Sequence, residues 1–297
     1  MIAAWWLVIG PATAMVYYEP ALVGITAWVQ PARRPRAFGM LTLLGGLAGA
    51  IFIPLTERMV TILGWRPTVR ILGLAIAVIA VGVAWRLVPR GAGDHHPGGG
   101  EQEVTFRSLA RDRRFVFMTA ALILTFGPIQ GMIATRVDRF SEAGFSLAVV
   151  SLWAGAASLI SMPGRYAAPV MAGRWNPIRV TAGAVALLAI SLAIAVPGNP
   201  QWSLVGHFTV FGIAFGAITP LRAMVMTRWY AGENYGAVSG AQWSLITIVA
   251  AGGVWALGAA RDLVGDYRSP LAVMAGLVAI GAVLVLLSDR TVSGESE

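Results

Sequence analysis

The chain contains no cysteine, which excludes disulfide stapling and thiolate chemistry. Charge is scarce too: Asp, Glu, Lys and Arg make up 12% of the 297 residues, about half the share found in a soluble domain. No Lys-Ser or Lys-Thr follows the glycines at 45, 46 and 49, so they do not form a phosphate loop and are read as sites of close helix packing. His, Asp and Ser do not cluster at helical spacing, which argues against an enzyme. His95 and His96 are adjacent in a glycine-rich loop and do not make a metal site. No cofactor is implied. The N-terminus lacks a basic start, and its apolar run continues without a small-residue cleavage site, unlike a signal peptide.

What is present is hydrophobicity: 57% of the residues, with a mean hydropathy of +0.71. Apolar runs of bilayer-crossing length recur throughout. They predict an all-α polytopic membrane protein with about nine transmembrane helices, near 3–29, 37–63, 68–88, 114–137, 146–171, 178–196, 202–229, 236–260 and 269–288. The longest polar interruption, Pro89 to Arg113, reads as a flexible linker. The expected division is a three-helix N-terminal part at 1–88, a cytoplasmic linker at 89–113, a six-helix half at 114–290 and a tail at 291–297.

The net charge of +8 would suggest nucleic acid in a soluble protein. Here the arginines sit in short loops, where topology and lipid headgroups account for them, and no nucleic-acid role is expected. The turn at 30–36 carries three arginines and the stretch 86–114 carries six. The positive-inside rule places that turn, the linker and the C-terminus in the cytoplasm, with Met1 outside. Trp28, Trp175 and Trp229 read as interface anchors.

An internal repeat is visible at a shift of 201 residues. Trp28 meets Trp229, Gly39 meets Gly240, Leu44 meets Leu245, Ala50 meets Ala251 and Gly64 meets Gly265. Both copies read helix, Trp, short turn, Gly-rich helix and Gly at the far end. A parallel repeat of six-helix halves is a transporter architecture.

Trp28, Arg33-Arg34, Ala37-Phe38-Gly39, Gly45-Gly46, Gly49 and Gly64-Trp65-Arg66 follow one another in this order, with Gly258, Asp262, Gly265 and Tyr267 near the end. Together with the lead-in Ser108 to Phe115, they resemble the major facilitator superfamily over essentially the whole chain. On that alignment the first span corresponds to the family's fourth helix, and the N-terminal half is truncated by three helices. The resemblance implies a multi-pass protein of the plasma or inner membrane. It implies alternating-access transport of a small solute in the lipid bilayer, possible proton coupling, and binding at midplane.

Three ionisable groups fall inside spans: Glu19, Arg165 and Arg222. Each lies seven to nine residues from its cytoplasmic helix end, which puts all three roughly 10–14 Å deep in one layer. Ionisable groups at that depth are functional candidates. Arg165, in Met162-Pro-Gly-Arg-Tyr166, matches an arginine that monocarboxylate and oxalate-type members use for a substrate carboxylate. Its planar fork suits two oxygens. A structural role on helix carbonyls is the alternative. Glu19 either takes up and releases a proton, since burial favours a neutral carboxyl, or pairs with Arg222. The repeat sets Glu19 opposite Pro220, two residues from Arg222. Further cavity candidates are Tyr17, Tyr18, Gln130 and Gln242 with Trp243. His207 is either a proton relay or a core histidine.

Some positions depart from the family. Where some carboxylate carriers have an Asp, this chain has Ser161. Gly173 precedes Arg174 where an Asp is usual, and Ile53 precedes Pro54 where the antiporter pattern has Gly. Rival readings are an exporter of drugs or hydrophobic solutes with this fold, and a transport-inactive membrane fragment.

Overall fold

The computed structural model describes residues 18–87, 105–230 and 235–290, apart from the side chains at 49, 50, 53, 54, 57, 84, 87 and 290. Most of the expected first span, Tyr17 within it, most of the linker with His95 and His96, and the tail lie outside the described residues. The elements in order are α1 (Tyr18–Trp28), a 3-10 turn (Pro31–Arg33), α2 (Arg34–Leu63), α3 (Trp65–Leu87), a short α4 (Phe106–Leu109), α5 (Arg113–Glu142), α6 (Leu147–Arg174), α7 (Pro177–Ala195), α8 (Gln201–Trp229), α9 (Tyr235–Val264) and α10 (Arg268–Arg290). Among the described residues, seven helices are long and apolar enough to cross a membrane. The protein is all-α and polytopic.

Local chemistry explains where the helices begin. The Asp112 carboxylate accepts from Arg114 N at 2.9 Å, and the Asn176 amide oxygen accepts from Ile178 N at 2.9 Å. Both satisfy first-turn N–H groups that have no helical acceptor. Pro177 opens α7, at a position where the missing N–H costs nothing.

Helix ends carry the repeat into three dimensions. α2 runs Arg34–Leu63 and α9 runs Tyr235–Val264, so the 201-residue shift superposes both ends. α1 ends at Trp28 and α8 at Trp229, again one shift apart. Gly64 and Gly265 follow α2 and α9 with φ of +80° and +88°. That left-handed conformation suits glycine, and it stops both helices after the same number of turns.

The chain falls into two compact units, Met1–Gly46 with Val104–Glu297, and Leu47–Glu103. In the first, α8 packs on α6 and α7, α9 on α5, and α10 on α5 and α7, while α1 lies on α9. Small residues let backbones approach, as expected where lipid supplies no hydrophobic drive for helix association. A Cβ at Gly281 would stand 2.9 Å from Ala121 O, and one at Gly212 would stand 3.0 Å from Ala157 O. Leu122, Ile129, Met132, Leu188 and Phe208 are fully buried in the resulting core. The second unit holds the latter part of α2 and α3, with Ile62, Leu74 and Ile79 exposed, as apolar side chains on a membrane-crossing helix can be.

Candidate functional site

Arg222 is placed by α8 and has no solvent exposure. A cation so placed requires compensation, and four hydrogen bonds supply it. Nη1 donates to Glu19 Oε1 at 2.7 Å, Nε to Gln242 Oε1 at 2.9 Å, and Nη2 to Ser239 O at 2.7 Å and Ser239 Oγ at 3.0 Å. The ion pair joins a buried guanidinium to a carboxylate whose side chain is 18% exposed. The network closes on itself, because Ser239 Oγ donates to Glu19 Oε2 at 2.7 Å. Gln242 Nε2 reaches Thr119 Oγ1 on α5 at 3.3 Å. The Trp243 ring lies 5.0 Å from the Arg222 guanidinium carbon, within cation–π range. Ser239, Gln242 and Trp243 share a face of α9 because three- and four-residue steps return to the same side of a helix.

Arg165 is half-buried on α6 and meets different chemistry. Its Nε donates to Ser161 Oγ at 3.1 Å, and Nη1 donates to Tyr18 OH at 3.3 Å and to Thr42 O at 3.2 Å. These partners are all neutral, and among the described residues no carboxylate pairs with Arg165. The glycine pair on α2 makes the room. A Cβ on Gly46 would stand 2.8 Å from Arg165 Nε, and one on Gly45 would stand 2.9 Å from Tyr18 Cε1.

Adjacent residues of α1 therefore serve both clusters: Tyr18 faces Arg165, and Glu19 faces Arg222. Of the residues singled out from sequence, the structure brings Glu19, Arg222, Gln242 and Trp243 into one cluster and Tyr18 and Arg165 into the other. Gln130 is exposed on α5, joined to neither cluster by a hydrogen bond. Tyr17 lies outside the described residues. His207 is fully buried; its Nδ1 lies 2.9 Å from Ser191 O, and Phe140, Phe208 and Phe211 surround its ring at 5.1–5.6 Å. Its Nε2 has no hydrogen-bond partner among the described residues. No group of metal-ligating side chains occurs among the described residues.

Sequence reasoning missed Ser239, Thr119 and Thr42 as members of the clusters. Ser239 carried a signal, since it stands one helical turn before Gln242. Thr42 carried none: its hydroxyl bonds Phe38 O at 2.9 Å within its own helix and reaches the Arg165 backbone carbonyl at 3.4 Å, and it is the Thr42 carbonyl that receives the Arg165 guanidinium.

Two ties lie at the ends of the bundle. Tyr230, just past α8, donates its phenol proton to Asp112 Oδ2. Burial, then the hydrogen bond to Asp112 and its charge, pushes that phenol far above its ordinary value. At the other end, Arg261 binds Glu142 at 2.7 Å and Asp262 at 3.2 Å. Tyr267 stands beside this exposed group, and its phenol is pushed up by burial and then by Glu142. Exposed pairs of this kind contribute little to stability.

Membrane-crossing helices with ionisable side chains tied together in their interior define a membrane transport protein. The family model for the Major Facilitator Superfamily matches residues 1–254, and the chain belongs to that family. The fold is similar to the crystal structure of the E. coli fucose:proton symporter, with a TM-score of 0.72 and 14% identity, over 91% of this chain and 72% of that chain. No curated protein sequence matches. The chain is a multi-pass secondary transporter, and its partner class is a small-molecule solute.

Proposed function

We propose that this protein carries a small organic anion, such as a monocarboxylate, across the plasma or inner membrane by alternating access. It acts as a carrier and not as an enzyme. The observation behind this reading is the difference in compensation between the two arginines. Arg222 already has a carboxylate, whereas Arg165 is held by a hydroxyl, a phenol and a carbonyl. A guanidinium oriented by neutral partners keeps its charge for an anion and offers it a planar fork. Tyr18 and Ser161 are at hand to rearrange around the bound oxygens.

Glu19 would couple transport to a proton. As a carboxylate it ties α1 to α8 and α9 through Arg222 and Ser239. Protonation removes the ion pair and frees α1 to move against those helices, while Gln242 and Ser239 retain the guanidinium. The protein of similar fold is a fucose:proton symporter, which agrees with a proton as the coupling ion. Gln242 lies behind Arg222 and sets its orientation. Tyr17 and Gln130 are proposed to reach solute in conformations that open the cavity.

Uptake of radiolabelled monocarboxylates into proteoliposomes, with and without an inward proton gradient, tests the reading. Arg165→Ala should abolish anion uptake, and Glu19→Gln should uncouple uptake from the gradient. Transport of hydrophobic cations that survives Arg165→Ala would instead favour an exporter of hydrophobic solutes. Unchanged coupling in Glu19→Gln removes the proton role.

A further inference from the structure

A separate cavity lies between α6, α7 and α8, and no member of either arginine cluster lines it. Its volume is about 770 Å³, within the range of about 300–1,000 Å³ typical of ligand sites. Small residues on all three helices create it: Gly164 and Ala168 on α6, Gly183 and Ala184 on α7, and Ala214 and Ala217 on α8. Where three packed helices place small side chains along one seam, they leave a groove. Met171, Leu187 and Ile213 are exposed along it and make its surface apolar.

One end differs. Trp175 and Arg179 line the cavity there, at the α6–α7 turn, and both are exposed. Among the described residues no hydrogen bond or ion pair engages Arg179. Asn176, at the same end, is already committed. Its amide nitrogen donates to Asp289 Oδ2 at 2.8 Å, and its oxygen accepts from Ile178 N. Asp289 is thus held by Asn176, and the charge of Arg179 is left over. A Trp and an Arg at the end of an apolar groove are the side chains suited to the boundary between hydrocarbon and headgroups.

We propose that this groove binds an anionic phospholipid, its phosphate on Arg179 and one acyl chain along the small-residue seam. Charge complementarity selects the occupant. A zwitterionic lipid brings a phosphate already balanced by its own ammonium and leaves Arg179 only partly matched, and a soluble anion would leave the apolar seam unfilled. Clusters of basic residues at a membrane surface attract anionic lipids generally. Here a single arginine joins a preformed seam, so the recognition is of head and chain together. The site does not depend on the identity of the transported solute.

Native mass spectrometry of the full chain in a neutral detergent tests this, with phosphatidylglycerol and acyl-matched phosphatidylcholine at equal concentration. The unchanged protein should retain phosphatidylglycerol preferentially. Arg179→Ala should lower that retention about fivefold, the worth of one basic side chain at a lipid surface, and lower that of phosphatidylcholine less, which removes the preference. Gly183→Leu should remove retention of both lipids by filling the seam. A Cβ at Gly183 meets no atom within 4 Å, and leucine is the better helix former, so that variant keeps its fold, which a thermal melt verifies. The proposal is overturned by equal retention of the two lipids, by no retention at all, or by full retention in Gly183→Leu. Displacement of the lipid by excess glycerol phosphate, which has the charge without the chain, also overturns it.

Discussion

Arg222 and Arg165 stand on neighbouring helices and face adjacent residues of α1, yet their surroundings are opposites. Arg222 has no exposure and a full set of partners, one of them a carboxylate. Arg165 is half-buried, and its partners are neutral. The difference separates two uses of a cation in a membrane. A fully neutralised arginine holds helices together, and its binding capacity is spent. An oriented but uncompensated one keeps a net charge that something else can answer.

Substitutions should pull the two sites apart. The largest effect is expected at Arg222→Ala, which leaves Glu19, Gln242 and Ser239 without their common donor. Removing one member of a buried pair costs about 3–5 kcal/mol, so the unfolding temperature in detergent should fall steeply. Arg165→Ala removes no ion pair and should cost less, about 1.5–3 kcal/mol, the worth of hydrogen bonds to a charged group. Anion uptake should nonetheless disappear. Arg165→Lys should restore charge without the fork and recover only part of the uptake. Equal melting temperatures for the two alanine variants would show that the two arginines do not differ in what they hold together.

Gly46→Ala is a finer probe. Its Cβ would approach Arg165 Nε at 2.8 Å, and the flexible arginine can yield. Stability should change by less than about 1 kcal/mol, well under the usual range for overpacking a core. Uptake should fall several-fold, because the guanidinium is displaced from Tyr18 and Thr42. Ser239→Ala should cost about 1 kcal/mol, one hydrogen bond's net contribution, and should alter the pH dependence of uptake more than its rate at saturating solute.

The smallest effect belongs to the Tyr230–Asp112 tie. The phenol has a higher pKa in the folded protein than in the unfolded chain, where it is about 10. Its stabilisation is therefore complete below about pH 10 and is lost as pH rises past that value. Tyr230→Phe should flatten the decline in melting temperature above pH 10 and shift it by only a degree or two at neutral pH.

Much of the fold was legible because hydrophobic length and end signals were both present. The span expected at 178–196 is the helix Pro177–Ala195, and the span expected at 202–229 is Gln201–Trp229. Depth was legible as well, since a fixed rise per residue turns sequence distance from an interface into height. That argument anticipated one layer for Glu19 and Arg222, which proved to be in contact. Rotation about the helix axis was not legible. A membrane helix apolar all round has no polar face to fix its orientation, so nothing in the sequence distinguished exposed Gln130 from buried Gln242. Hydroxyl and carbonyl partners were hidden for a related reason: Ser and Thr in helices commonly bond their own preceding turn, and Thr42 does so while its carbonyl serves Arg165.

The Ser239 hydroxyl has one further consequence. A hydroxyl has a single proton to give and two lone pairs to receive. While Glu19 is ionised, Ser239 gives its proton to Glu19 and receives one from Arg222. A proton arriving on Glu19 Oε2 takes that acceptor away, and the hydroxyl must turn to find another. Proton coupling through Glu19, as proposed, would give this rotor two settings, each fixed by the state of a residue 220 positions away in sequence. It belongs to α9, whereas the acid belongs to α1 and the base to α8. Under the proposed proton coupling, a proton taken up on one helix would thereby be registered on a second and held by a third, with a single torsion angle keeping the three in step.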